Sequence, residues 1–109
     1  MGDLISREEL KALLEGDEHF VLVDTLPEVA YHKGHLPGAI SIPSEDILVQ
    51  APKRIPDRDC DIVVYCGNRP CRRSFLSVER LKSLGYCKVR DYHVGKADWI
   101  AAGLRLEAG

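Results

Sequence analysis

The segment Asp61–Phe75, DIVVYCGNRPCRRSF, places a thiol where a nucleophile could act. An apolar run typical of a buried strand, Ile62–Tyr65, ends directly at Cys66, and a helical pattern begins beyond Ser74. The short loop between them carries a second cysteine and three arginines. Ligands of parallel sheets bind outside the carboxyl ends of the strands. The segment therefore predicts a reactive cysteine in a strand-to-helix loop.

The surroundings of Cys66 favour its thiolate, which is the nucleophilic form of cysteine. The helix after the loop offers a positive dipole end, the loop can turn backbone N–H groups inward, and the arginines add fixed positive charge. A buried structural thiol is the alternative, but such a thiol needs no arginine cluster. We predict Cys66 as the catalytic nucleophile. We assign the binding of an anionic substrate to the loop residues Gly67, Asn68, Arg69, Pro70, Cys71, Arg72 and Arg73.

Other cysteines and polar side chains have weaker signals. Cys71, five residues after Cys66, is either a resolving thiol that attacks an oxidised Cys66 or a side chain that points to the core. Asp24 ends an earlier predicted strand and is expected to make supporting hydrogen bonds. The cysteine spacings do not match a zinc site, so we expect no metal and no cofactor. Bystander, surface or structural positions are expected for Cys60, Cys87, His32, His35 and His93.

The rest of the chain alternates between helical and strand patterns. Helices are predicted over 6–16, 27–31, 44–50, 74–85 and 96–103, and strands over 19–24, 38–43, 61–66 and 88–93. Ser6 and Glu9 form a capping box at the first helix. The segment 51–60, with two prolines, is predicted to be a loop. The helix over 74–85 is expected to bury Phe75, Val78, Leu81 and Leu84, and Trp99 is expected to pack on the sheet.

This alternation predicts a three-layer α/β/α fold with a central, mainly parallel sheet. The strand over 61–66 is the most apolar and is expected to be central. A chain of 109 residues has the size of one domain, so residues 1–109 are predicted to form a single domain.

Composition argues against several kinds of partner. The net charge is -2, which gives no reason to expect binding to nucleic acid or to an anionic membrane. No apolar run approaches the roughly 20 residues of a membrane span. The first residues, MGDLISREEL, lack the profile of a secretory signal, so we expect a cytoplasmic location with reduced cysteines.

Three motifs in order resemble those of rhodanese-like domains. VLVDTLPEVAYHKGHLPGAISIP is similar to the family's first motif, in which a strand ending in Asp is followed by a helix and by G-H-[IL]-P-G-A-x-x-I-P. VVYC followed by a loop and a helix resembles the active-site motif. LGYCKVRDYHVGKADWIAAGLRLE resembles the closing motif. The active-site loop is similar to a subgroup with Y-C-x4-C-x2-S, matched by Tyr65, Cys66, Cys71 and Ser74.

The resemblance implies a single-domain sulfurtransferase. Cys66 would accept the sulfane sulfur of a small anionic donor, thiosulfate or a persulfide, and would become a persulfide. A nucleophilic acceptor such as a thiol, cyanide or another protein would then remove the sulfur. Ser74 would support the site, and the family implies no cofactor. The loop is about two residues longer than the family's usual loop by this comparison, which implies a wider pocket.

Two alternatives on the same fold remain. Cys66 and Arg72 fit the C-x5-R loop of phosphatases and arsenate reductases, in which Arg72 would clamp an oxyanion. Tyr65 stands where such phosphatases usually have a histidine. A non-catalytic binding module is the other alternative, although such modules typically lack the cysteine that this chain has.

Overall fold

A computed structural model of the protein describes residues 4–67 and 72–109. Within them, helices and strands alternate along the chain. The helices are α1 (Arg7–Glu15), α2 (Glu28–Lys33), α3 (Ile47–Arg54), α4 (Arg72–Ser83) and α5 (Gly95–Ala101). The strands are β1 (Val21–Asp24), β2 (Ile40–Ser41), β3 (Ile62–Tyr65) and β4 (Val89–Tyr92). A short 3-10 turn, Ser44–Asp46, precedes α3.

The described strands form one parallel sheet in the order β2-β1-β3-β4. All four residues of β3 are buried, and this strand lies between β1 and β4 as predicted. In the register, Asp24 pairs with Tyr65, and Tyr65 pairs with Tyr92. Because the strands are parallel, their carboxyl ends meet at one edge, which therefore carries Asp24, Cys66 and the residues after Tyr92.

Apolar side chains cover both faces of the sheet, which confirms the predicted three-layer fold. One cluster packs α3 and α4 on the sheet and includes Val23, Ile47, Ala51, Val64, Val78, Leu81 and Val89. The other packs α1 and α5 on the opposite face and includes Leu10, Leu22, Val63, Tyr65, Tyr92 and Trp99. The predicted packing of Trp99 on the sheet is confirmed, since its side chain is buried.

The capping box at α1 is present as predicted. Ser6 Oγ accepts a hydrogen bond from Glu9 N at 3.1 Å, and Glu9 Oε1 accepts one from Ser6 N at 3.0 Å. These two bonds satisfy N–H groups that have no partner inside the helix. The capping box thus fixes the start of α1, whose Leu10 is fully buried.

Two expectations for the α3–α4 layer are wrong. The predicted loop over 51–60 begins later, because α3 continues to Arg54 with Pro52 inside it. Buried Ile47, Ala51 and Ile55 recur every four residues, and Ile55 N donates to Ala51 O, so packing outweighs the proline. Phe75 was expected to be buried but is 53% exposed. The buried side of α4 contains two serines instead of Phe75.

No helix among residues 4–67 and 72–109 combines the length and the apolar character that crossing a bilayer requires.

Candidate active site

Cys66 lies at the carboxyl end of β3 and is fully buried. The carbonyl of the preceding residue, Tyr65, accepts hydrogen bonds from Thr25 N at 3.0 Å and from Thr25 Oγ1 at 2.8 Å. Thr25 directly follows β1 and is itself fully buried. The neighbouring strand therefore fixes the peptide from which the cysteine projects.

Helix α5 holds the same segment from the other side. Lys96 N donates to Cys66 O at 2.8 Å, and Ala97 N donates to Gly67 O at 2.7 Å. A Cβ on Gly95 would lie 2.7 Å from Cys66 O and 2.9 Å from Gly67 O, and Gly95 has φ +72. Only glycine combines this backbone conformation with so close an approach.

Gly95→Ala is predicted to destabilise the protein by more than its backbone strain of about 1–2 kcal/mol, because the new methyl group collides with the Cys66–Gly67 backbone. Gly103→Ala is the matched control, since Gly103 has φ +77 and a Cβ added there would meet no atom within 4 Å. Urea unfolding of both variants measures the difference. Equal losses in the two variants would show that α5 can move away from the loop.

A buried tyrosine of β3 is hydrogen-bonded to two residues of the first rhodanese-like motif, Asp24 and Leu36. Tyr65 OH donates to Asp24 Oδ2 at 2.8 Å and accepts from Leu36 N at 3.0 Å. The second carboxylate oxygen, Asp24 Oδ1, accepts from Leu26 N at 2.9 Å. Burial, followed by the charge of Asp24, raises the pKa of Tyr65 far above its usual range. Both carboxylate oxygens of Asp24 thus accept hydrogen bonds within the fold, while its support of the site stays a prediction.

Ser74 brings a hydroxyl group to the sulfur. This residue lies in the first turn of α4, is fully buried, and places Oγ 3.6 Å from Cys66 Sγ. A hydroxyl at this position can donate a hydrogen bond to a thiolate or accept one from a thiol. The structure therefore brings the predicted nucleophile together with one predicted supporting residue.

A carboxylate that sequence reasoning missed lies behind Ser74. Asp91 lies on β4 and is 6% exposed. Burial raises the pKa of Asp91, although Ser74 and nearby His93 act in the opposite direction. Among the described residues, Asp91 Oδ1 and His93 Nδ1 are buried without a hydrogen-bond partner. His93 directly follows β4, the edge strand of the described sheet, and is partly buried, which agrees with the expected surface or edge position.

The arginines at the start of α4 have different surroundings. Arg73 Nε donates to Thr25 O at 2.9 Å, and its guanidinium pairs with Glu45. These contacts give Arg73 a structural use in joining α4 to the connection after β1. Arg72 is exposed at the first residue of α4. The predicted substrate contacts of both arginines stay predictions.

A hydrogen-bond network extends this connection along α4. Ser44 Oγ donates to Arg73 O at 3.0 Å, and Ser77 Oγ donates to Ser44 Oγ at 2.9 Å. Arg80 Nη1 donates to Ser44 O and to Ser44 Oγ, both at 2.8 Å. The network accounts for the burial of Ser77 and explains why polar residues occupy the inner stripe of α4.

The remaining loop predictions lie outside the described residues: Asn68, Arg69, Pro70 and Cys71. The structure contains Cys66 in a disulfide-bonded form. The expectation of reduced cysteines therefore holds for Cys60 and Cys87 and is wrong for Cys66. Gly67, also assigned to substrate binding, lies in the described part of the loop and is held by α5 through its carbonyl.

Two further expectations concern histidine and metals. His35 is buried, its Nδ1 lies 2.9 Å from Tyr31 O, and its ring stacks on Tyr31 with centroids 3.9 Å apart. These contacts match the structural role predicted for His35. Among residues 4–67 and 72–109, no group of three or more His, Cys, Asp or Glu side chains is arranged to hold a metal ion.

The chain folds as a parallel α/β domain with a cysteine at the end of a central strand. Comparison with known proteins identifies its family. The chain belongs to the family of rhodanese-like domains, whose model matches residues 6–102. A rhodanese-like domain of Alr3790 from Anabaena superimposes with a TM-score of 0.88 at 29% identity, covering 100% of this chain and 81% of that one. A thiosulfate sulfurtransferase from Pseudomonas aeruginosa gives 0.85 at 28% identity, covering 96% of this chain and 20% of that one.

Two curated relatives contain a similar region within longer chains. The HTH-type transcriptional regulator Rv0324 of Mycobacterium tuberculosis is 35% identical over 107 residues, which is 98% of this chain and 46% of the regulator. The proposed sulfur carrier protein YrkF of Bacillus subtilis is 28% identical over 95 residues, which is 87% of this chain and 49% of YrkF. The chain thus spans about half the length of the curated relatives it matches.

The sequence held one signal for the missed carboxylate. Asp91 alternates with Val89 along β4, so both side chains face α4, and aspartate is depleted in strands. A charged residue at an inward strand position marks a site that uses it or compensates it. The influence of Ser74 on Asp91 could not be identified without the packing of α4 on β4.

Asp91→Asn is predicted to raise the free energy of unfolding at pH 7. Burial raises the pKa of Asp91 in the folded protein, so its charged form is less favourable there than in the unfolded chain. The stability that this group contributes is complete below the unfolded pKa of about 3.9 and is lost as pH rises through the folded pKa. The advantage of asparagine should therefore disappear in acid.

Urea unfolding of the Asp91→Asn variant at pH 7 and at pH 3 measures this effect. The exposed Asp59 supplies a matched control, Asp59→Asn, which should change stability at neither pH. A loss of stability at pH 7 in Asp91→Asn would mean that the carboxylate is stabilised by its surroundings, contrary to the prediction.

Proposed function

We propose that this domain carries a sulfane sulfur on Cys66 and moves it from a small anionic donor to a nucleophilic acceptor. The observation that carries the proposal is the buried sulfur at the end of β3 with a hydroxyl 3.6 Å away, in a chain that belongs to the rhodanese-like family. The similarity to a thiosulfate sulfurtransferase and to a proposed sulfur carrier supports it.

The transfer has two steps at one sulfur atom. The Cys66 thiolate attacks the outer sulfur of thiosulfate or of a persulfide, a new S–S bond forms, and the donor's S–S bond breaks with release of sulfite or a thiolate. A thiol, cyanide or a protein acceptor then attacks the outer sulfur of the Cys66 persulfide. The Cys66 thiolate is the leaving group and returns to its first state.

The described residues contribute position and hydrogen bonding to these steps. The Thr25 and α5 contacts hold the Cys66 backbone, so the sulfur meets the donor without rearrangement of the strand end. Ser74 can donate a hydrogen bond to the thiolate, both before attack and when it leaves. The negative charge on sulfur is therefore supported by a neutral donor that the fold already holds in place.

A regulatory module is a second candidate, favoured by the 35% identity to a transcriptional regulator. In that case Cys66 would be modified by sulfur species and would report them to another part of a longer protein. A carrier passes its sulfur on repeatedly, whereas a module of this kind keeps the modification or binds without it. Phosphatase or arsenate reductase chemistry stays an alternative tested by the same first experiment.

Reduced protein incubated with thiosulfate, and separately with glutathione persulfide, is predicted to gain one sulfur atom in its intact mass. Cyanide should remove this sulfur as thiocyanate, because the outer sulfur of a persulfide is electrophilic. The gain should disappear in Cys66→Ser. Prior reduction is required because Cys66 is disulfide-bonded in the structure.

Cys87→Ser is the matched control, since Cys87 is an exposed free cysteine before β4, at the amino ends of the strands and opposite Cys66, and should leave loading unchanged. Cys71→Ser tests the resolving thiol: loss of loading there as well would indicate a relay of two thiols. Absence of any gain with both donors would contradict sulfur transfer and would direct the next assays to arsenate and an aryl phosphate. A stable gain without repeated transfer would favour the regulatory module.

Ser74→Ala is predicted to slow sulfur loading by about tenfold to a hundredfold, the usual value of one hydrogen bond to a charged group. Ser77→Ala is the control, because Ser77 is an equally buried serine of α4 whose hydroxyl contacts Ser44 and Arg73 O. Single-turnover loading followed by mass gives both rates. Equal rates in the two variants would remove Ser74 from the mechanism.

A further inference from the structure

The disulfide at Cys66 is the feature of the site that the transfer steps above leave without a role. Cys66 is disulfide-bonded and fully buried at the end of β3. The chain has four cysteines, of which Cys60 and Cys87 are free thiols. The sequence therefore leaves Cys71 as the partner of Cys66. Because Cys71 lies outside the described residues, this pairing follows from elimination and from the bond at Cys66.

The described neighbours of Cys71 agree with this pairing. Arg72, the next residue, begins α4, and Ser74 in the first turn places Oγ 3.6 Å from Cys66 Sγ. Cys71 precedes Ser74 by three residues, which is the spacing of neighbours along one side of a helical turn. We therefore expect the start of α4, which brings a hydroxyl to the sulfur, to bring the second thiol within reach as well.

The short span of this bridge favours a chemical over a structural use. The entropic stabilisation that a disulfide provides grows with the length of chain it closes, and only four residues separate Cys66 from Cys71. A disulfide between a nucleophilic cysteine and a nearby second thiol is the product expected when the second thiol displaces a group from the first. In a sulfur carrier, that group is the transferred sulfur.

We propose that Cys71 is the resolving thiol of this site and that sulfur loaded on Cys66 leaves as hydrogen sulfide when the Cys66–Cys71 disulfide forms. This inference rests on the proposed sulfur transfer. It adds a second catalytic residue, a second product and a requirement for a reductant. The disulfide-bonded form is the oxidised state of the cycle, and the partner that restores the thiols is a dithiol.

The release step balances without an outside oxidant. The sulfur of Cys71 attacks Cys66 Sγ, the inner sulfur of the persulfide, and a new S–S bond forms between the two cysteines. The bond from Cys66 Sγ to the outer sulfur breaks, and the outer sulfur leaves as hydrosulfide with the electron pair and the proton of Cys71. The outer sulfur is thereby reduced to sulfide, and the two cysteines together are oxidised to the disulfide.

The return step is thiol–disulfide exchange with the dithiol. One thiolate of the reductant attacks the disulfide and forms a mixed disulfide, and its second thiol then displaces the remaining cysteine. Both cysteines become thiols, and the reductant leaves as its own disulfide. Over one full cycle, thiosulfate and the dithiol give sulfite, hydrogen sulfide and the oxidised reductant, so atoms, electrons and charge balance.

A thiol of the same chain has an advantage over an external acceptor at a buried sulfur. Holding two reacting groups together converts a bimolecular step into a unimolecular one, and Cys66 is fully buried in the bonded form. Release of sulfide therefore competes with every external acceptor for the same persulfide. Cyanide present during loading should accordingly divert part of the sulfur to thiocyanate.

The pairing is tested first, on protein that has not been reduced. Alkylation in denaturant and digestion with trypsin give the peptide Asp59–Arg72, since trypsin does not cut before Pro70. This peptide contains Cys60, Cys66 and Cys71. We expect one alkyl label, on Cys60, and a disulfide between the other two cysteines. A label on Cys71 would overturn the pairing.

A single turnover tests the release of sulfide. Reduced protein, freed of reductant without oxygen, is mixed with thiosulfate or with glutathione persulfide, and intact mass and free sulfide are followed against a protein-free blank. Wild-type protein should gain one sulfur transiently, release it as sulfide and end as the disulfide. Cys71→Ser should keep the sulfur on Cys66 and release none. Cys87→Ser is the matched control and should behave as wild type, because Cys87 is an exposed free thiol.

The outcomes separate this inference from the proposed function. If neither donor adds sulfur to any variant, sulfur transfer fails and sulfide release fails with it. If Cys71→Ser gains sulfur and releases sulfide as fast as wild type, sulfur transfer stands and the resolving role is refuted. A wild-type protein that holds the sulfur as a persulfide on Cys71 would refute it as well, since the thiol would then relay sulfur.

The requirement for a reductant gives an independent readout. Unreduced wild-type protein should neither load sulfur nor release sulfide, and dithiothreitol should restore repeated release. Cys71→Ser should load sulfur without prior reduction, because its Cys66 lacks the partner that blocks it. Equal loading of unreduced and reduced wild-type protein would contradict the role of the disulfide in the cycle.

Discussion

The carbonyl oxygens of Tyr65, Cys66 and Gly67 all accept hydrogen bonds from outside β3. Thr25 supplies the donors on one side and the first turn of α5 supplies them on the other. A buried carbonyl without a partner costs about 1–3 kcal/mol, so these bonds make one conformation of the strand end strongly preferred. The position of the sulfur, the approach of Ser74 and the need for glycine at 95 all depend on this arrangement.

A second constraint connects distant parts of the chain to that strand end. Tyr65 OH joins the carboxylate of Asp24 to the backbone of Leu36, which lies in the segment before β2. The tyrosine therefore has two functions: its ring belongs to the core with Trp99, and its hydroxyl satisfies a buried charge. Asp24, fully buried, would be unfavourable without this donor and the Leu26 N–H.

Local patterns in the sequence were sufficient for most of the elements and for the position of Cys66 at the end of β3. The capping box at Ser6, the apolar run of β3 and the cysteine that follows it are each readable within a few residues. Where tertiary packing decides, prediction failed. Buried Ala51 and Ile55 extend α3 through Pro52, and the serine network turns Phe75 to solvent, and neither contact is visible in the local pattern.

The surroundings of the charged residues in the candidate site could not be predicted from the local sequence either. The arginines near Cys66 suggested that fixed positive charge favours its thiolate, yet the described contacts of Arg73 go to Thr25 O and Glu45. What the described residues place beside the sulfur is the neutral hydroxyl of Ser74. A fixed charge would attract an anionic donor equally in every state of the sulfur.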